Sequence, residues 1–258
     1  MSNGPAASAV TEDAFLGGAL RILQPKHGYR AGGDAVLLAA SAAGRAGRRE
    51  RVLDVGAGVG VVGLAVAHRI PDAEVVLVER DPALVELART NIERNGLSGR
   101  VSVVDADVEL PLSGHPVLAA HAGSFDHVLA NPPYHTEGRG TAAADTTKAA
   151  ANAMAEDSLG RWLRFLAAMA RPTGSAAVIH KAEALAALLA ACEGRFGALR
   201  VLPIHPRRDA AAIRVIVRGS KGTRAPLALL PPLILHGDDH GFRPDIDRML
   251  RGGAGLEI

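Results

Sequence analysis

The chain has 258 residues, enough for one large domain, and 48% of them are hydrophobic against only 3% aromatic. A formal net charge of +2 marks neither an acidic nor a strongly basic protein, and the single cysteine, Cys192, excludes an internal disulfide and any cysteine-built zinc cluster. "MSNGPAASAV" lacks the basic and apolar regions of a signal peptide. "APLALLPPLIL" (225–235) is too short to span a bilayer and holds three prolines, so a soluble cytoplasmic protein with no membrane contact is expected.

Residues 1–12 are small and polar and are expected to be disordered. "DAVLLAASAAGRA" (34–46) predicts a helix with Asp34 as its N-cap. "RVLDV" (51–55) is a short buried strand that runs into "GAGVG" and then into a helix, "VVGLAVAHRI". "AEVVLVE" (73–79) is a second strand. "DPALVELARTNIERNG" opens on Asp-Pro, is apolar at helical spacing and closes on Asn95-Gly96. "RVSVVDAD" and "FDHVLA" are strands, "LGRWLRFLAAMA" a helix, "GSAAVIHK" a strand and "AEALAALLAACE" a helix that carries Cys192 as an inert buried thiol. "LRVLPIHP" and "AAIRVIVRG" are the last strands. The alternation predicts an α/β fold: a doubly wound, seven-stranded, mostly parallel sheet with helices on both faces. No helix separates the last two strands, which predicts an antiparallel hairpin at one edge. Residues 136–152 lack apolar periodicity, as in a lid, a binding loop or a disordered segment.

"DVGAGVGVVG" places Gly56, Gly58 and Gly60 between a strand and a helix, where glycine permits a tight turn and close approach of a ligand to backbone N–H groups. Glu79 ends the next strand, 23 residues after Gly56, where a carboxylate can accept both hydroxyls of a ribose. A nucleoside-containing cofactor follows. Gly58, Gly60 and Gly63 also fit the dinucleotide fingerprint, so a nicotinamide-dependent oxidoreductase is an alternative. Two acids favour a cofactor with an amino-acid end and an adenosine end, S-adenosylmethionine. Asp54 stands where it could meet an ammonium group, and Asp107 where it could accept from an adenine amine.

"LANPPYH" (129–135) ends an apolar strand on an amide, two prolines and an aromatic ring. Proline cannot extend a sheet and fixes its own φ, so the loop is rigid where the strand stops. "VLDVGAGVG" and "NPPY" together resemble the class I S-adenosylmethionine-dependent methyltransferases, and "NPPY" their amino-methylating branch. "LQPKHGYRAGGDAVLLAA" (23–40), "NIERNGL" and "GFRPDIDRML" are similar to the small-domain methyltransferases related to the tRNA1(Val) (adenine-37-N6) enzymes. The resemblance implies that Asn131 and Pro132 accept the two N–H groups of a planar amine, with Pro133 rigidifying the loop and Tyr134 stacking on the base. It implies cofactor contacts from Asp54, Gly56, Gly58, Gly60, Glu79, Arg80, Asp107 and Asn131. The leader is then expected to close over the cofactor with Arg30 and Asp34 near its amino-acid end; the plain alternative makes Tyr29 packing, Arg30 a surface pair and Asp34 only a cap. The resemblance further implies one methyltransferase domain over 13–258: a leader (13–50), a catalytic core (51–220) and an extension (221–258).

Eight cations lie between Arg195 and Arg224, namely Arg195, Arg200, Arg207, Arg208, Arg214, Arg218, Lys221 and Arg224, with Asp209 the only acid among them. Such an excess could hold a phosphate backbone or is simply a solvated surface; the resemblance implies that the backbone is that of a structured RNA, a tRNA above all, with N6 of adenine as the acceptor. His135 could touch the base or a phosphate. His236 and His240 in "HGDDH" lack the glutamate and helix of a metalloprotease motif, so a polar turn and no metal are expected there. Trp162 is read as core. DNA adenine, a protein glutamine, and a non-catalytic RNA-binding module stand as rival readings.

Overall fold

A computed structural model of the chain describes residues 10–28, 30–44, 47–133, 158–238 and 241–258. Two strands, β1 (Val10–Phe15) and β2 (Leu20–Pro25), form an antiparallel hairpin of their own. Ordered structure thus begins inside the stretch expected to be disordered, and residues 1–9 lie outside the described ones.

The main sheet contains β3 (Arg51–Val55), β4 (Glu74–Glu79), β5 (Val101–Asp105), β6 (Phe125–Ala130), β7 (Ala170–Lys181), β8 (Phe196–His205) and β9 (Arg214–Lys221). It also contains two two-residue strands, β10 (Ala228–Leu229) and β11 (Leu233–Ile234). Its order is β5-β4-β3-β6-β7-β9-β8-β10, with β11 also on β8. Strands β3 to β7 are parallel. β9 is antiparallel to both β7 and β8. Among the described residues the sheet therefore has nine strands rather than the seven expected. The last two long strands do pair antiparallel, but β9 is inserted between β7 and β8, and the outer edge of β8 is covered by β10 and β11.

Helices α1 (Gly33–Ala40), α2 (Val61–Arg69), α3 (Pro82–Arg94), α4 (Pro116–Ala119), α5 (residues 158–169), α6 (Leu185–Cys192) and α7 (Pro244–Gly252) surround the sheet. Along β4, Val75 and Leu77 join one apolar cluster, with α1, α2, α7 and the hairpin; Val76 and Val78 join the other, with α4, α5 and α6. This is the period-2 alternation of a strand buried on both faces, which is why these strands read as unbroken apolar runs. Helix α3 starts because Asp81 accepts from the Ala83 N–H (2.8 Å) and Pro82 supplies a preset φ; it stops at Asn95, followed by Gly96 at φ 66°. Helix α1 is shorter than predicted and ends at Ala40. Its N-cap is Gly32, so Asp34 lies inside the first turn and is not the cap.

Two asparagines of α3 join the hairpin to the rest. Asn91 accepts from the Leu23 N–H (2.8 Å) and donates to the Leu23 carbonyl (3.1 Å) and the Val59 carbonyl (3.0 Å). Asn95, one turn later, accepts from the Arg21 N–H and donates to the Arg21 carbonyl, both at 2.9 Å. The amides imitate a neighbouring strand and satisfy the outer backbone groups of β2.

Candidate active site

Because β3, β4, β5 and β6 are parallel, their C-terminal ends share one rim of the sheet, and chain direction across the sheet reverses between β3 and β6. Ligands of open α/β sheets bind at such a switch point. A cavity of about 240 Å³ lies there, lined from all four strand ends, among them Gly56, Glu79, Asp107 and Asn131.

The glycine loop forms its floor. Gly56, Gly58 and Gly60 take φ values of 67°, 56° and 93°, all left-handed, a region that a side chain would strain. The loop is pinned to β4 twice: the Ala57 N–H donates to the Val78 carbonyl (2.9 Å), and the Gly58 N–H donates to Glu79 Oε2 (2.8 Å). Glu79 Oε1 accepts from the N–H groups of Arg80 and Asp81, each at 2.9 Å. A carboxylate offers about four acceptor positions, so this one organises three backbone donors and keeps capacity for a ligand.

Asp54 lies beneath the loop, 1% exposed, and Oδ2 accepts from the Gly63 N–H at 2.9 Å. Burial pushes its carboxyl up to about 7, the Gly63 N–H acts in the opposite direction, and the Glu79 charge adds to the rise. Gly63 itself is needed for packing: a Cβ there would stand 2.2 Å from Leu77 Cδ2.

Asp107, just past β5, accepts from the Glu109 N–H (2.9 Å) and pairs with Arg80 (3.3 Å) on the cavity wall. Two further lining residues were not singled out as site residues in the sequence. Trp162 packs over Gly56 so closely that a Cβ there would lie 2.4 Å from its ring. Glu109 accepts from Trp162 Nε1 (3.3 Å), Ser158 Oγ (3.1 Å) and Arg161 Nη2 (3.1 Å). Burial opposes ionisation of Glu109, yet those hydrogen bonds and the Arg161 charge hold its carboxyl below the usual range.

Of the residues expected at the site, Asn131, Pro133, Gly56, Gly58, Glu79, Arg80 and Asp107 line the cavity. Pro132 is buried behind it; Tyr134, Tyr29, His135 and the 136–152 loop lie outside the described residues. Gly60 and Asp54 sit beneath it. Arg30 is occupied on the hairpin, donating to Thr11 Oγ1 (2.8 Å), the Pro25 carbonyl (2.6 Å) and Asp13 (2.5 Å). Asp34 pairs with Arg214 Nε at 2.7 Å. Neither lines the cavity.

The expected basic patch is divided. β9 runs away from this rim, so Arg207, Arg208 and Arg214 lie at it, while Arg195, Lys221 and Arg224 lie at the far end, roughly 23 Å away over seven residues of strand. Five of the eight cations already hold internal oxygens: Arg195 those of Ala191 and Glu193, Arg207 that of Gly237, Arg214 Asp34, Arg218 that of Ile258, and Lys221 that of Ala170.

The lining fits the cofactor implied by the resemblance. Carboxylates stand at the ends of β4 and β5, Val78, Leu84, Ala106 and Val108 offer apolar walls for a flat ring, and the backbone at Gly56 is bare because Trp162 fills the space of a side chain.

The chain is 33% identical to a predicted O-methyltransferase of known structure from Agrobacterium tumefaciens, over 87% of this chain and 99% of that one, with a TM-score of 0.73. It is 32% identical over 130 residues to the tRNA1(Val) (adenine(37)-N6)-methyltransferase of Shewanella loihica, 50% of this chain and 51% of that protein. It is 34% identical over 113 residues to the release factor glutamine methyltransferase of Geobacter sulfurreducens, 44% of this chain and 34% of that protein. The chain thus spans about half or less of these two curated relatives. The profile of the methyltransferase small domain matches residues 32–163, from the first turn of α1 through the glycine loop and Asn131 to Leu163. Half of the chain, including every strand end around the cavity, therefore belongs to that pattern, and the chain is a member of the methyltransferase small domain family of S-adenosylmethionine-dependent enzymes.

Proposed function

We propose that the protein transfers the methyl group of S-adenosylmethionine to an exocyclic amino nitrogen, with N6 of adenine in a structured RNA, a tRNA first, as the acceptor. The observation that carries this reading is the position of Asn131. It follows the last residue of β6, Ala130 pairs with Val55 next to the glycine loop, and Asn131 stands on the cavity wall with Gly56 and Glu79.

An exocyclic amine on a base is planar, its lone pair is delocalised, and it is a weak nucleophile. Two acceptors on its N–H groups draw the nitrogen toward a tetrahedral shape. The Asn131 side-chain oxygen and the Pro132 carbonyl are assigned to that task. Pro132 and Pro133 fix the loop, so the acceptors are placed before the substrate arrives. When bound, the cofactor supplies an electrophilic methyl on a sulfonium. No strong base is required of the protein, because the proton can leave after transfer. Tyr134 is assigned the stacking role by motif.

A glutamine amide is also a planar NH₂ group, and the divided cations weaken the case for one phosphate-gripping face. A protein glutamine is therefore the second reading, supported by the similarity to the release factor enzyme. The test is incubation with methyl-labelled cofactor and an extract from a strain lacking this gene, followed by RNase or protease digestion. Labelled N6-methyladenosine lost to RNase supports the first reading; label lost to protease alone replaces it with the second. Asn131→Ala should abolish transfer and leave cofactor affinity intact. Normal turnover in that variant would defeat the mechanism.

A further inference from the structure

We infer that the site-bearing rim extends beyond β8 to a second RNA contact, in which a base several nucleotides along the strand from the methylated one stacks on Phe242 while Arg208 meets a phosphate. The inference rests on RNA being the acceptor.

Phe242 is 43% exposed, and among the described Phe and Trp residues it alone is exposed. A single exposed apolar side chain needs no explanation. This one differs by being held. Its ring stacks on His236, centroids 4.7 Å apart and planes 20° apart, and the two residues face each other across an antiparallel bridge. Backbone bonds tie that turn to β8: the Leu235 N–H donates to the His205 carbonyl (2.9 Å) and the His236 N–H to the Pro206 carbonyl (3.1 Å). Arg207 reaches the Gly237 carbonyl at 3.4 Å. A ring backed by a second ring is a platform for any base, because every base has a π-face.

Its location supplies the partner. β11 is parallel to β8, β8 and β7 are each antiparallel to β9, and β7 is parallel to β6, so the turn after β11 emerges on the same rim as Asn131. Four strand spacings separate them, roughly 19 Å. Between them the rim carries Lys181, Ile213 (44% exposed), Arg207 and Arg208. Asp209 and Asp238 are exposed in the same turns and offset the two arginines. Stacking on Phe242 and the Arg208–phosphate contact both contribute, and neutralising a single phosphate adds only a shallow salt slope.

The test measures fluorescence anisotropy of labelled oligoadenylates, a dodecamer and a trimer too short to reach from Asn131 to Phe242, together with methylation of total tRNA from a strain lacking this gene. Phe242→Ala should weaken dodecamer binding about tenfold and raise KM for tRNA, with kcat and trimer binding unchanged. Phe242→Trp should restore binding; Phe242→Leu, apolar without a π-face, should not. Arg208→Ala should weaken the dodecamer, and Arg224→Ala, at the far end of the sheet, should not. Urea midpoints confirm that each variant folds. Wild-type affinity in both Phe242→Ala and Phe242→Leu, or an equal loss with the trimer, would overturn the inference while leaving RNA methylation standing. Label transferred to protein and never to RNA would remove the acceptor reading and this surface with it.

Discussion

Replacing Gly56 by alanine separates two costs that the glycine loop normally avoids. The first is conformational: at φ 67° a Cβ meets the following carbonyl, for about 1–2 kcal/mol. The second is steric: the new methyl would lie 2.4 Å from Trp162 Cη2 and 3.0 Å from Cζ3. Trp162 is 5% exposed and bonded to Glu109, so it yields only by disturbing α5, an overpacking cost of about 1–3 kcal/mol. Together they come to about 2–5 kcal/mol, a large part of the ~5–15 kcal/mol typical of a folded domain. Gly96 is the control, with φ 66° and nothing within 4 Å of its ideal Cβ, so Gly96→Ala should cost only the first term. Urea denaturation of both variants, with m-values checked for constancy, gives the difference directly. Trp162→Phe in the Gly56→Ala background should recover at least about 1 kcal/mol relative to additivity. Equal midpoints for Gly56→Ala and Gly96→Ala would refute the reasoning.

Glu79→Gln places an NH₂ group among three backbone N–H donors; it should cost about 1–3 kcal/mol, and calorimetry with S-adenosylhomocysteine should show cofactor affinity reduced at least tenfold. Asp54 should make the protein less stable as pH rises. Its folded carboxyl keeps its proton up to about pH 7, where the unfolded chain has lost it, so its contribution is full below about pH 4 and disappears on the way to 7. Asp54→Asn keeps an acceptor for the Gly63 N–H and cannot ionise, so the wild type should fall relative to it by on the order of 4 kcal/mol across that interval; a pH-independent gap between the two would contradict this. Asn91→Ala leaves the Leu23 N–H and carbonyl, both half-buried, and the buried Val59 carbonyl unpaired. It should cost about 3 kcal/mol, and hydrogen exchange should show early loss of protection at Leu23.

The parts of the chain legible beforehand are those in which local pattern and tertiary role coincide. Arg51–Val55 reads as a buried strand because both of its faces are covered, and Gly56, Gly58 and Gly60 announce left-handed backbone. The β1–β2 hairpin escaped notice because what holds it is remote in sequence: Asn91 and Asn95, whose amides stand in for a third strand. β10 and β11 are two residues long and carry no periodicity to detect. Trp162 was assigned to the core, and it is buried; the same ring also walls the cavity, a role visible only once α5 is laid against Gly56. The cations from Arg195 to Arg224 form a cluster in sequence and not in space, because an antiparallel pair of strands carries its two ends to opposite sides of the sheet.

The two short strands on β8 bear on solubility. A ten-residue outermost strand with unpaired N–H and C=O groups would recruit a strand from another molecule. Here β10 pairs with Arg200 and Val201, β11 with Ile204 and His205, and Pro203 between them has no N–H to offer. Pro226, Pro231 and Pro232 keep the covering segment itself from extending into a new edge. Without β10 and β11 the outer edge of β8 would be exposed, and the sheet could grow there by addition of its own kind.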